Sequence, residues 1–343
     1  MRKLLLIVGS LLFYVSSSFS QADFRIMFYN VENLFDTTDD PLKNDDEFLP
    51  AGLMNWKPWK YREKLKNITR VITAVGGMQS PALVGLCEVE NDSVLFDLTR
   101  RSPLRAQGYE YIVTNSPDER GMDVALLYQR HQFNLLEKNE YEVIFRDKAT
   151  RPTRNLLHAA GRVVSGDTLD VFVCHWPSRS GGRRESEPAR IDAATLLRRK
   201  TDSLFAIRGN ANIVIMGDFN DCPDDKSIFR TLKARSLNYH RSDKELYNMF
   251  FHRLKEKNFG TYFFQGRWEV LDQFIVSGNL LTDDNPIYIK GREAHIFKPG
   301  FLLEEEKASG IKRPYRTYYG PRYNGGFSDH LPVYIDFKIN RPR

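Results

Sequence analysis

Ile213-Val214-Ile215-Met216-Gly217-Asp218-Phe219-Asn220 is four apolar residues followed by a glycine, an acid, a ring and an amide. A short continuous run of this kind reads as a buried central strand. It ends on a carboxylate, which is costly at the mouth of a buried strand unless a metal, a cation or hydrogen bonds compensate. Four other segments repeat the design. They are Arg25-Ile26-Met27-Phe28-Tyr29-Asn30, Leu83-Val84-Gly85-Leu86-Cys87-Glu88, Val171-Phe172-Val173-Cys174-His175, and Ser328-Asp329-His330 leading into Leu331-Pro332-Val333-Tyr334-Ile335. Five apolar runs that each deliver an acid, amide or imidazole at one end predict one polar, metal-binding, catalytic site on an apolar scaffold.

The first residues stand apart. A basic start at Arg2 and Lys3, an apolar stretch from Leu4 to Tyr14 and a small-residue exit to Ser20 read as a secretory signal peptide over residues 1–20, cleaved near Ser20–Gln21. The expected location is therefore outside the cell or in a periplasm. Residues 21–343, about 320 residues, are expected to form a single domain. Removing Arg2 and Lys3 takes the formal charge from +6 to +4, a mild excess that permits nucleic acid without demanding it. No second long apolar stretch follows, so no stable membrane insertion is expected, and no segment marks a protein partner. The three cysteines, Cys87, Cys174 and Cys222, imply no paired framework; Cys87 and Cys174 read as small buried hydrophobes.

Tyr61 to Gly76 carries Leu65, Ile68, Ile72 and Val75 at helical spacing, and Asp92–Arg101 and Pro188–Ile207 read as further helices. Strands are expected at Tyr109–Thr114, Val124–Tyr128, Asn155–Val164, Thr168–Cys174, Thr261–Phe264, Val270–Val276 and Leu331–Phe337. Strand-rich halves with few helices fit an α+β fold, two packed mixed sheets flanked by helices. The Asp36–Glu47 loop holds six acids, but their spacing matches no calcium loop, and it reads as a solvated acidic segment. Tyr315, Tyr318, Tyr319 and Tyr323, interleaved with Arg316 and Arg322, suit either stacked bases or a loop packed onto the body.

Strand period places Asp218 and Asn220 on one face, where an acid and an amide can hold one water between them. Asp272 lies inside Val270-Leu271-Asp272-Gln273-Phe274-Ile275, where a buried carboxylate needs a partner; His330 is the candidate, its tautomer and basicity set by the acid. Glu88 offers carboxylate oxygen to a hard cation, with Asn30 or Asp329 beside it. The seven histidines are scattered and no HxxxH or CxxC occurs, so zinc is not indicated.

Together, Asn30-Val31-Glu32-Asn33, Glu88, His175, Gly217-Asp218-Phe219-Asn220, Leu271-Asp272 and Ser328-Asp329-His330, in this order, resemble the endonuclease/exonuclease/phosphatase superfamily. That group includes deoxyribonuclease I, abasic-site endonucleases, neutral sphingomyelinases and inositol polyphosphate 5-phosphatases. The resemblance spans Phe24 to Lys338. It implies a deoxyribonuclease I-like four-layer α/β sandwich with the site at one end of the paired sheets, and a divalent metal, usually Mg²⁺, with Mn²⁺ or Ca²⁺ as alternatives. It implies Glu88 as principal metal ligand with Asn30 beside it and Asp329 as the acid near the metal. Asp218 would orient or deprotonate the attacking water and Asn220 contact the phosphate. His330, paired with Asp272, would stand at the scissile phosphate, with His175 as second histidine. Glu32 stands where abasic-site enzymes carry an Asp, and Asp123 is a candidate support from its own strand.

The reaction implied is phosphoester hydrolysis by in-line attack of water. The Trp, Arg and Pro-Ala-Trp-Cys-Asp-Arg features of the inositol phosphatases are missing around Met216, Cys222 and Glu269–Gln273. Trp56-Lys57-Pro58-Trp59-Lys60-Tyr61 is either a membrane-directed aromatic hairpin, as a sphingomyelinase needs, or a hydrophobic staple entering the helix. Arg183 and Arg184, shortly after His175, either grip phosphates flanking the scissile one or pair with Glu185 and Glu187. The reading favoured by the sequence is a secreted, non-specific endonuclease acting on nucleic acid, the alternative a phosphodiesterase or phosphatase for a lipid head group or small molecule.

Overall fold

The computed structural model describes residues 22–305 and 310–340. The expected leader lies outside them. Two sheets carry the fold. In the first the order is Ile287–Ile296, Val333–Ile339, Ala22–Leu34, Leu83–Val89, Asp123–Tyr128, Glu110–Val113. In the second it is Phe133–Tyr141, Leu156–Val163, Thr168–His175, Asn212–Asp218, Asp272–Ser277, Leu246–Asn248, Ala234–Ser236. Their facing sides share one buried cluster, including Phe28, Cys87, Val124, Val173, Met216 and Phe274. Helix Pro58–Gly76 covers the outer face of the first sheet through Leu65, Ile68, Ile72 and Val75. Helix Arg183–Ile207 covers the second through Ala193, Ala194 and Leu197. This is the expected four-layer sandwich.

At the centre of each sheet two strands run parallel. Ala22–Leu34 pairs Leu83–Val89, and Thr168–His175 pairs Asn212–Asp218. Parallel neighbours end at the same side of a sheet, which brings Asn30 beside Glu88 and His175 directly opposite Asp218. Asp272 begins its antiparallel strand opposite Asp218. Gly217 is needed for this closeness: a Cβ there would run into the backbone carbonyl of Cys174 on the neighbouring strand.

Two helix starts differ from the sequence reading. The first helix opens at Pro58 and not at Tyr61, the missing proline N–H costing nothing in a first turn, and it closes at Gly76 with Gly77 as its cap. The long helix opens at Arg183, five residues before Pro188, so Arg183 and Arg184 lie on a helix and not on a flexible loop. Buried Arg190 ties that added turn down, meeting Asp221 at 2.8 Å and the Arg183 carbonyl at 2.9 Å. Asp92–Arg101 is helical as expected, but widens to a π turn over Asp97–Arg101. Cys87 and Cys174 are free and buried, as expected of small hydrophobes. Trp56 is fully buried, its indole N–H on the Phe35 carbonyl at 2.9 Å, so the Trp56–Tyr61 segment presents no paired aromatic hairpin. Tyr315 and Tyr318 likewise bond the Asn324 and Met54 carbonyls, packing their loop onto the body.

Candidate active site

The strand ends converge on one buried group of side chains. Asp218, 2% exposed, is its hub. Its Oδ1 accepts the Asn220 backbone N–H at 2.9 Å, and its Oδ2 accepts the Asn30 amide at 3.0 Å. The same Asn30 amide donates to Glu88 at 3.0 Å, so one side chain holds two carboxylates in place. Nε2 of His330 stands 3.7 Å from Asp218 Oδ2, and Nε2 of His175 stands 3.8 Å from the same oxygen and 4.0 Å from Glu88. These gaps exceed a hydrogen bond and can be spanned by one oxygen atom, from water or phosphate, held to both sides. Nδ1 of His330 meets Asp272 at 2.7 Å, the pair expected from the sequence.

The backbone around the cluster is unusual. Glu32, Asn33, Glu88 and Asn220 all have φ between 50° and 60°, the left-handed region that non-glycine residues rarely adopt. Glu88 and Asn220 line the cleft and Glu32 and Asn33 stand behind it, so the fold holds this geometry at a cost. Asn220 reaches the cleft through this turn and not by strand period, because the strand ends at Asp218; its amide is anchored on the Trp176 carbonyl at 3.1 Å.

Electrostatics separates the two histidines. Burial opposes charge on His330, but Asp272 and Asp218 outweigh it and raise its pKa well above 6.5. Burial lowers His175 well below the usual range, and the nearby positive charges of Arg154 and His330 push the same way. Charge is thus favoured on one imidazole and disfavoured on the other, and both face the same carboxylate. Burial raises Asp218, with cationic His330 pulling it back. Environments that drive neighbouring groups apart in this way assign acid and base roles.

One ligand atom each from Glu88, His175 and Asp218 falls within 4.8 Å of the others, and Asp218, Asp272 and His330 form a second such group. Nδ1 of His175 is buried with no hydrogen-bond partner among the described residues. Carboxylate oxygens dominate this donor set, which fits a hard divalent cation.

Several expected residues sit otherwise than predicted. Asn30, expected beside the metal, turns its amide nitrogen to both carboxylates while its oxygen accepts the Glu32 N–H, so it positions Glu88 and Asp218. Asp329 lines the cleft but is held by Arg316 at 3.0 Å and joins neither ligand group. Glu32 lies behind the cleft, 4% exposed, accepting the Thr317 N–H at 2.6 Å and Arg316 at 3.2 Å. Asp123 is away from the cleft, binding Thr114 and Ser116 and so fixing the start of its hairpin. Arg183 reaches the cleft wall but pairs with Asp225 at 2.6 Å, and Arg184 is exposed and does not line it.

Other side chains had no signal in the sequence. The ring of Tyr262 lies against His330, centroids 4.7 Å apart, and Phe264, half exposed, continues the aromatic shelf outward. Thr261 caps the strand that carries Asp272, its hydroxyl accepting the Asp272 N–H at 3.1 Å. Buried Lys64 binds Thr317 and the Phe327 carbonyl behind the loop; burial lowers its pKa to about 8, opposed by Glu32 and Asp329.

A four-layer sandwich with acids, an amide and two histidines at the ends of its central strands defines a phosphoester hydrolase fold. The chain belongs to the endonuclease/exonuclease/phosphatase family, whose pattern matches residues 25–339 and whose members are hydrolases of phosphoester bonds. The human nocturnin catalytic domain is 17% identical over 93% of this chain and 95% of its own, with a TM-score of 0.54. A mannosyl-6-phosphatase from Bacteroides thetaiotaomicron is 16% identical over 92% and 99%, TM-score 0.55. Truncated TDP2 from Caenorhabditis elegans is 15% identical over 92% of this chain and 97% of the truncated one, TM-score 0.53. At these identities the likeness is one of fold. None of the curated proteins compared with the sequence matches it.

Proposed function

We propose that the protein is a divalent-metal-dependent phosphoester hydrolase that acts by in-line attack of water. The observation that carries this reading is Asp218 standing between His330 and His175, 3.7 and 3.8 Å from its Oδ2, at the floor of a cleft of about 620 Å³. In this mechanism Asp218 accepts the proton of the attacking water, and Asn220 holds the carboxylate through its N–H. His330, charged by Asp272, donates toward a phosphoryl oxygen and stabilises its growing charge; neutral His175 faces the same space. Glu88, with Asp218 or His175, would hold the metal, Mg²⁺ or alternatively Mn²⁺ or Ca²⁺, which supplies Lewis-acid stabilisation when bound. Replacing Glu88 by Gln is expected to raise the Mg²⁺ concentration for half-maximal activity at least about tenfold, the lower bound seen even for outer partners of metal ligands. A metal titration of activity checks this.

For the substrate, the geometry favours a compact phosphoester over a polynucleotide. Arg179 and Arg183, the arginines that line the cleft, are already paired with acids. Arg179 meets Glu269 at 2.7 Å and Arg183 meets Asp225 at 2.6 Å. What the cleft offers instead is the Tyr262–Phe264 shelf, with Ser178, Ser180 and Gln265 as polar partners. An aromatic face beside hydroxyls and an amide suits a ring carrying hydroxyl groups, joined to the phosphate. The mild positive charge is what still favours nucleic acid.

A panel of sugar phosphates, nucleotides, sphingomyelin vesicles and supercoiled plasmid, each with Mg²⁺ and with EDTA, separates these readings. The expected outcome is fastest hydrolysis of a small ring phosphoester, with Phe264→Ala raising its KM about tenfold, the loss of roughly 1–1.5 kcal/mol of aromatic contact. Plasmid nicking with the small substrates untouched would restore the nuclease. The leader-like residues 1–20 support export, and no helix among the described residues is long and apolar enough to cross a membrane.

A further inference from the structure

The Asp36–Glu47 loop, which leaves the first strand beside Glu88 and leads towards helix Pro58–Gly76, is not uniformly solvated. Asp45 is 3% exposed. Its Oδ2 accepts the Asp40 N–H at 3.2 Å, but its Oδ1 is buried with no hydrogen-bond partner among the described residues. An ionised carboxylate in that position is costly unless a cation compensates. The basic side chains nearby do not compensate it. Lys43 donates to the Ser116 and Asp118 carbonyls at 2.9 and 3.0 Å, and Arg120 binds Glu47 and Asn33. More negative charge surrounds Asp45 instead. One carboxylate oxygen from each of Asp39, Asp45 and Asp46 falls within 4.8 Å of the other two.

We propose that Asp39, Asp45 and Asp46 form a second cation site, for Ca²⁺, separate from the Asp218 cluster. Three carboxylates on one irregular loop, completed by carbonyl oxygens and water, match the six to eight oxygen ligands and loose geometry that Ca²⁺ accepts. Mg²⁺ takes fewer carboxylates and a stricter octahedron, and no His or Cys is present for a softer metal. The ion fastens the loop whose Glu47 holds Arg120. Arg120 in turn reaches Asn33, whose N–H binds Glu88, so the site braces one wall of the catalytic cleft.

The test is calorimetric titration of Ca²⁺ and thermal unfolding of the purified protein carrying Glu88→Gln and Asp218→Asn, which silence the catalytic cluster. The expected result is one Ca²⁺ bound with a Kd on the order of 10⁻⁴ M, the range of extracellular calcium modules, and a higher unfolding midpoint. Mg²⁺ is expected to bind at least about tenfold more weakly. Adding Asp39→Asn and Asp46→Asn, both exposed positions, should weaken Ca²⁺ at least about tenfold, as loss of two of three carboxylates requires. Asp45→Asn, which removes the buried charge, should raise the midpoint in EDTA and abolish the Ca²⁺ response. No Ca²⁺ binding in the silenced protein, equal binding of Mg²⁺, or binding unchanged by Asp39→Asn and Asp46→Asn would overturn the proposal.

Discussion

Replacing Asp218 by Ala is expected to lower turnover about 10²–10⁴-fold, the range a positioned general base contributes, and to leave the protein folded. Asp218 is the one carboxylate that both histidines and Asn30 face at once, so its loss removes the proton acceptor and the group that centres the others. The structural cost is bounded. The Asn220 N–H and the Asn30 amide lose an acceptor, about 1–3 kcal/mol for each buried group left unpaired. Removal of a carboxylate that burial already disfavours offsets part of this. Steady-state kinetics at saturating Mg²⁺, with thermal unfolding as control, checks the result. Near-full turnover in the variant would remove Asp218 from the reaction.

Asp272→Asn is expected to move the alkaline limb of the pH–rate profile to lower pH and to reduce neutral-pH activity about 10²-fold or more. Burial alone would drive His330 towards neutrality; Asp272 and Asp218 hold its proton. Without the Asp272 charge the pKa falls, and the fraction of cationic His330 declines at a pH where the wild type retains it. The stability linkage has the matching sign. The folded state binds this proton more tightly than the unfolded state, so the His330 contribution is fully present below about pH 6.5. It is lost as pH rises through the raised folded-state value. In Asp272→Asn this contribution shrinks, and stability should depend less on pH above neutrality. Profiles of kcat and of the unfolding midpoint against pH test both statements. An unmoved alkaline limb would show that His330 does not act as the cation.

Most of the cluster was legible because strands delivered it. Where a buried run ends on a polar residue, as at Glu88, His175 and Asp218, one-dimensional order is enough to foresee a shared site, since parallel neighbours end together. Features that depend on turns or on the surface were not legible. Asn220 reaches the cleft through a left-handed turn, which period two does not encode. The edge strand Phe133–Tyr141 is largely exposed and carries Glu137, Lys138 and Glu140, so it lacks the apolar alternation by which a strand is read. The strand Ile287–Ile296 is interrupted by a bulge at Gly291 and Arg292. Arg183 and Arg184 were misplaced because Pro188 reads as a helix start, although five residues precede it on the same helix. The partner of Arg183 also lies far away in sequence: it finds Asp225 and not Glu185 or Glu187.

The most direct test of the central claim is hydrolysis of p-nitrophenyl phosphate and bis(p-nitrophenyl) phosphate by residues 21–343, with Mg²⁺ and with EDTA, beside Asp218→Ala. The account predicts Mg²⁺-dependent release of nitrophenol that EDTA abolishes and that falls at least about 10²-fold in the variant. Equal rates in wild type and Asp218→Ala, or release indifferent to EDTA, would contradict it.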